Sequence, residues 1–196
     1  MSKKLKKGLK KSVSVVTAIT TIVWLSGLAL VLTPAVSVVA DERPSVTVEG
    51  VTIYDGDLIS SNATNPDGTP TYESLDIYIA KVVGAEKYKR LILNPQVFDS
   101  YGHLNWSDVK EVDQSVMDAF TTSCLIREDG DTKVYALAPD DDTGTKSWIN
   151  LTAEEFLGAT PGAYSTNDSD AIYTVNSTDA GNYTTTGDIT TVAALE

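Results

Sequence analysis

Lys87-Tyr-Lys-Arg-Leu-Ile-Leu-Asn-Pro-Gln-Val-Phe-Asp-Ser-Tyr-Gly-His-Leu-Asn-Trp-Ser-Asp-Val-Lys-Glu-Val112 is the stretch whose reading decides the fold. Tyr88–Leu93 reads as a strand. Asn94 stands where an N-cap belongs, and Pro95 takes the first helical position, where its missing N–H costs nothing. The helix that follows is short, about two turns, with Val97, Phe98 and Tyr101 on one side, and Gly102 ends it. Trp106 and Ser107–Val112 lead through a second brief strand. Asp113 is then placed to cap another helix, in which Val116, Met117 and Phe120 share a face.

Upstream, Leu75–Val83 alternates, with Ile77 and Ile79 on one face and Tyr78 and Ala80 on the other. Gly84-Ala85-Glu86 turns it into Tyr88–Leu93 as a hairpin. Ser45–Glu49 and Val51–Tyr54 alternate in the same way, Asp55-Gly56-Asp57 turns the chain, and Leu58-Ile59 opens another short strand. Ser60–Thr71 is a loop by its chemistry, with Asn-Pro, Asp-Gly and Thr-Pro in succession.

Downstream, the outline returns in weaker form. Ile77-Tyr78 recurs as Val134-Tyr135, and Lys89-Arg90-Leu91-Ile92 as Lys146-Ser147-Trp148-Ile149. The Asn94–Phe98 helix start recurs as Thr152–Phe156, where Thr152 and Glu155 have the spacing of a capping box. Val109 and Val112 recur as Ile172 and Val175, Asp113 as Asn176, and Phe120-Thr121-Thr122 as Tyr183-Thr184-Thr185. Ser123–Ile126 matches Gly56–Ile59 and, after a one-residue slip, Gly187–Thr190.

These patterns predict an α+β protein of two small tandem repeats, each a β-hairpin with short helices and strands. The expected divisions are a leader over 1–40, lead-in strands and loop over 41–72, repeats over 73–128 and 129–190, and a tail over 191–196. A unit of roughly sixty residues buries only about 60% of its unfolded surface, so two units sharing an apolar seam are better placed than one. The Gly-Asp-Leu-Ile-like segments are the expected strands donated across each junction.

Six of the 15 basic residues lie in residues 1–40, which hold no acid, leaving nine against all 27 acids and a net charge of −18 for the rest. Such a body repels phosphates and argues against a nucleic-acid partner. Cys124 is the only cysteine, so no intramolecular disulfide forms, and its expected role is that of a small buried hydrophobe. The lysine-rich start, the 29 uncharged residues Ser12–Ala40 and Val38-Val39-Ala40 before Asp41 follow the plan of a secretory signal. Retained, residues 13–33 would instead anchor the chain in the membrane. Either way the lysines hold the N-terminus inside and place residues 41–196 outside.

The order Lys-Arg-x-Ile at 89–92, Asn-Pro-x-x-Phe at 94–98, Tyr101-Gly102 and Trp106-x-x-Val109 resembles the tandem repeats of exported bacterial wall-associated or S-layer-like proteins. The resemblance covers about residues 55–190; the second copy lacks the Tyr-Gly-His-Leu-x-Trp turn. It implies a cell-surface location and a structural or cell-wall-binding role, and it brings no catalytic residues.

The residues give no catalytic constellation either. His103 is the only histidine and suits a helix-end or backbone contact; with Cys124 it cannot build a zinc site of Cys and His ligands alone. Asp140-x-Asp142-x-Gly144 imitates the start of a calcium loop but lacks the bidentate Glu at the EF-hand spacing, so a solvated turn is expected, with no metal or other cofactor. Tyr101, His103, Trp106 and Trp148 are the candidate ligand-binding residues, although the apolar periodicity of Trp106 and Trp148 favours core packing. Asn-x-Ser/Thr sequons stand at Asn62, Asn105, Asn150, Asn167, Asn176 and Asn182. The sum is a non-catalytic exported protein whose partners are a wall polymer or surface proteins. Self-association as an envelope subunit or adhesin is the runner-up, and an envelope hydrolase working through Asp140 or Glu154 comes behind it.

Overall fold

Two tight hairpins set the frame of the protein, whose computed structural model describes residues 41–160, 166 and 168–195. The leader and Asn167 lie outside the described residues. Strands β4 (Ile77–Val83) and β5 (Glu86–Ile92) pair from Ile77↔Ile92 to Val83↔Glu86 around Gly84-Ala85. Strands β9 (Tyr135–Asp140) and β10 (Thr143–Trp148) pair from Trp148↔Tyr135 to Thr143↔Asp140 around Asp141-Asp142. A two-residue hairpin loop that matches strand twist needs positive φ at its first residue. Gly84 supplies +59° and Asp141 +49°. Asp tolerates that region better than most residues because its short side chain bonds locally. The acidic run at 140–142 is thus the tip of a hairpin.

Around these hairpins the described residues form an α+β fold, with three further strands added to each. The first sheet takes in β3 (Leu58–Ser61), β6 (Val109–Val112) and β7 (Thr121–Thr122), in the order β6-β3-β4-β5-β7. The second takes in β8 (Leu125–Glu128), β11 (Tyr173–Val175) and β12 (Thr184–Thr185), in the order β11-β8-β9-β10-β12. In both sheets the outer strands run parallel to their neighbours and the inner pairs antiparallel. The registers coincide as well: Lys89↔Thr122 stands where Lys146↔Thr185 does, and Ile59↔Tyr78 where Ile126↔Tyr135 does. Each sheet draws its second strand from the chain before its hairpin. Ser123 N–H still bonds Lys89 of the first sheet, while the Cys124 carbonyl accepts from Leu137 of the second.

Helices α1 (Pro95–Ser100), α2 (Gln114–Asp118), α3 (Ala153–Gly158) and α4 (Ser177–Gly181) lie in the parallel crossovers. Asn94 accepts from Val97 N–H, Asn176 accepts from Asp179 N–H, and Thr152 with Glu155 makes a complete capping box. Asp113 departs from expectation, because its side chain makes no cap. Its carboxylate instead accepts from Asn62 Nδ2 at 2.6 Å, which ties the loop after β3 to the start of α2.

The hairpin of β1 (Ser45–Val48) and β2 (Val51–Tyr54) forms its own two-stranded sheet. It lays Ile53, with Val46, Val48 and Val51, over Ile59, Ala80, Val82, Val116 and Phe120. The opposite face of the first sheet packs Leu58 and Ile92 on Val97 and Phe98 of α1. A third cluster, built on Leu125, Ile126, Phe156, Tyr173 and Tyr183, fills the second sheet and takes in Tyr88 and Leu93 from the first. Leu195 of α5 (Val192–Leu195) is sealed into it. Cys124 is half-buried against the same cluster.

The two sheets meet at a polar junction. Arg90 Nη2 of β5 bonds Asp179 Oδ2 of α4 at 2.8 Å, with the two side chains 3% and 0% exposed. Tyr101 donates its hydroxyl to the same oxygen at 2.5 Å. Burial alone would lower the Arg90 pKa, but the adjacent Asp179 more than offsets it and holds the guanidinium above its usual value. Around this pair, Lys81 Nζ donates to the Ile172 carbonyl at 2.8 Å, Tyr88 to Asp168 at 2.6 Å, and Tyr173 to the Ile79 carbonyl at 3.0 Å.

Removing one half of a buried ion pair strands the other in low dielectric. Arg90→Met or Asp179→Leu is therefore expected to cost about 3–5 kcal/mol, and the double variant much less than the sum. Urea unfolding of the four proteins measures the coupling. A second test uses pH. The Tyr88 hydroxyl, then the Asp170 N–H, hold Asp168 below its ordinary value of 3.8. That contribution is full above the ordinary value and is lost as pH falls through the lower folded one. Asp168→Asn is expected to flatten the fall in urea midpoint from about pH 5 downward.

Candidate ligand-binding clefts

Trp106 lies in a 3-10 turn over Trp106–Asp108, just before β6. One face of its indole stacks on Phe98 at 4.0 Å between centroids and 21° between planes. The residue as a whole is 51% exposed, whereas Phe98 beneath it is 1% exposed. The apolar periodicity favours a core position for Trp106; the structure corrects this, since half of the residue's surface stays exposed beyond the Phe98 stack. Its Nε1–H donates to Asp99 Oδ1 at 3.1 Å, which fixes the ring in plane.

A cleft of about 230 Å³ opens beside this ring, walled by Leu75, Asp76, Ile77, Asn94, Pro95 and Asp142. Asp142 comes from the tip of the second hairpin, and its carbonyl accepts from Asn94 Nδ2 at 2.9 Å. Burial pushes the Asp76 carboxyl above its ordinary value, and a hydrogen bond from Tyr78 partly opposes the shift. Leu75, 69% exposed, extends the apolar wall outward. A rigid aromatic face flanked by amide and carboxylate groups can stack on the C–H face of a sugar ring while accepting from its hydroxyls.

The other sequence candidates lie elsewhere. Tyr101 is consumed by the junction with Asp179, and burial pushes its hydroxyl well above the usual phenol range. His103 is exposed in the turn after α1, its Nδ1 2.8 Å from the Tyr101 carbonyl. It faces a separate hollow of about 530 Å³ lined by Arg43, Asp57 and Lys110. Trp148 lies on the second sheet with Lys133 Nζ 4.3 Å above its ring, in a cleft of about 370 Å³.

The Trp106 and Trp148 clefts hold the same position in their sheets. Ile77, Ile92, Asn94, Phe98 and Trp106 line the first; Val134, Ile149, Thr152, Phe156 and Ser169 stand at the matching places in the second. Sequence reasoning missed Leu75, Asp76, Lys133, Leu157 and Ser169 as lining residues. The alignment of Val109 with Ile172 carried the signal for Ser169, since it sets that residue opposite Trp106.

Among the described residues no group of three or more His, Cys, Asp or Glu side chains could hold a metal ion. No described helix is long and apolar enough to cross a membrane. No protein-family model, curated protein or solved structure matches the chain.

With one face in water, the Trp106 ring contributes less than the Phe98 ring it covers. Trp106→Ala is expected to cost about 0.5–1.5 kcal/mol, the scale of an aromatic pair, and Phe98→Ala about 3–5 kcal/mol. Paired urea unfolding curves check the order.

Proposed function

We propose that this chain is an exported, non-catalytic module of the bacterial cell surface that binds an uncharged wall glycan through the Trp106 cleft. The observation that carries the reading is the indole itself: half exposed, stacked on a buried Phe98 and pinned by Asp99. A ring held this way binds without first losing rotamer freedom. The net charge of −18 outside the leader opposes anionic polymers and favours neutral sugar units. The lysine-rich, uncharged leader supports export, and the resemblance to wall-associated repeats supports the location.

Within this reading the two five-stranded sheets are tandem copies of one unit, a view supported by their shared strand order, pairing senses and registers. The first copy carries the glycan cleft, and the second closes one wall of it with Asp142.

Co-sedimentation of residues 41–196 with purified sacculi tests the function. Saturable pelleting is expected, weakened at least about tenfold in Trp106→Ala, as loss of a hot-spot aromatic implies. Absence of pelleting, together with concentration-dependent oligomers, would transfer the role to self-assembly. Soluble fragments released from the sacculi would make it a hydrolase.

A further inference from the structure

We infer that the cleft of the second sheet is a binding site for a small carboxylate carrying a single aromatic ring. The first sheet supplies the template. There the indole of Trp106 fills the position over Phe98 at 4.0 Å. In the second sheet Ser169 stands in Trp106's place and Phe156 in Phe98's, so among the described residues no ring takes the indole's position, and a cleft of about 370 Å³ lies there. That volume falls in the range of small-molecule sites.

Two further replacements set the ligand's chemistry. Asp99, which accepts the indole N–H in the first sheet, gives way to Leu157, which is 55% exposed at the rim. The seat therefore suits a ring with no N–H to satisfy. Asp76 of the first cleft gives way to Lys133, whose Nζ lies 4.3 Å from the Trp148 centroid. Among the described residues no Asp or Glu lines this cleft. An apolar seat with one ammonium at its mouth is complementary to an aryl carboxylate. The body as a whole, at −18 with Lys133 included, would favour the opposite charge, so a preference for the acid can come only from the local lysine. The inference is independent of the glycan reading, which rests on the other cleft.

The test is 19F NMR of the full-length chain labelled with 5-fluorotryptophan, titrated with 3-phenylpropanoate and with 3-phenylpropylamine. A saturable shift of the Trp148 resonance is expected, with Trp106 unmoved and the acid preferred over the amine by about two- to fivefold, the range of an exposed charge pair. Lys133→Ala is expected to reverse that preference. Ser169→Trp, which restores the missing ring from within, is expected to weaken binding at least tenfold. Should that variant fold poorly, Leu157→Asp returns the first sheet's carboxylate and is expected to have the same effect. No saturable shift, a preference for the amine in the unaltered chain, or unchanged affinity in Ser169→Trp would overturn the proposal.

Discussion

The buried ion pair between Arg90 and Asp179 is the constraint on which the arrangement of the two sheets depends. Neither charge has water to fall back on, so each requires the other at hydrogen-bonding distance. That fixes α4 against β5, and with it the seating of Lys81, Tyr88 and Tyr173, whose polar groups all find partners across the junction. The Tyr101 hydroxyl adds a third hydrogen-bonding group to the pair.

The junction is also one-sided. The positions of Lys81, Tyr88 and Arg90 in the first hairpin are taken by Ala138, Thr145 and Ser147 in the second. Those small residues offer no cation and no phenol to a further docking surface. On the first sheet, Val116 holds the place that Asp179 holds in the second, and the β1–β2 hairpin covers it with Val46, Val48, Val51 and Ile53. After β12, Thr186 still bonds Lys146, and Ile189 continues alongside Trp148 and Asn150. Leu195 then closes the core of its own sheet. The face around Val116 is thus met by the β1–β2 hairpin, and the end of the second sheet by the chain that follows β12.

The same comparison explains how two similar frames carry different clefts. Backbone registers coincide along with the hairpin turns and the apolar positions of the strands. In the clefts the side chains differ: Ser169 stands for Trp106, Leu157 for Asp99 and Lys133 for Asp76. Packing restrains these positions little, so chemistry there can change while the scaffold is kept.

Much of the scaffold was legible in the chain because its determinants are local. Asn94 with Pro95, Thr152 with Glu155, and Asn176 satisfy helix N–H groups within a few residues, and the Gly84 turn needs only its neighbours. The lysine-rich start and the acidity of the remainder are likewise properties of sequence alone. The tertiary structure decided what depends on distant chain. Asp113 caps nothing because Asn62 claims its carboxylate, Tyr101 serves the junction because Asp179 reaches it from α4, and Trp106 stays half exposed because, among the described residues, no element crosses its outer face. Periodicity tells which residues share a face; only the assembled fold determines which faces are covered, since burial is set by packing between elements far apart in sequence.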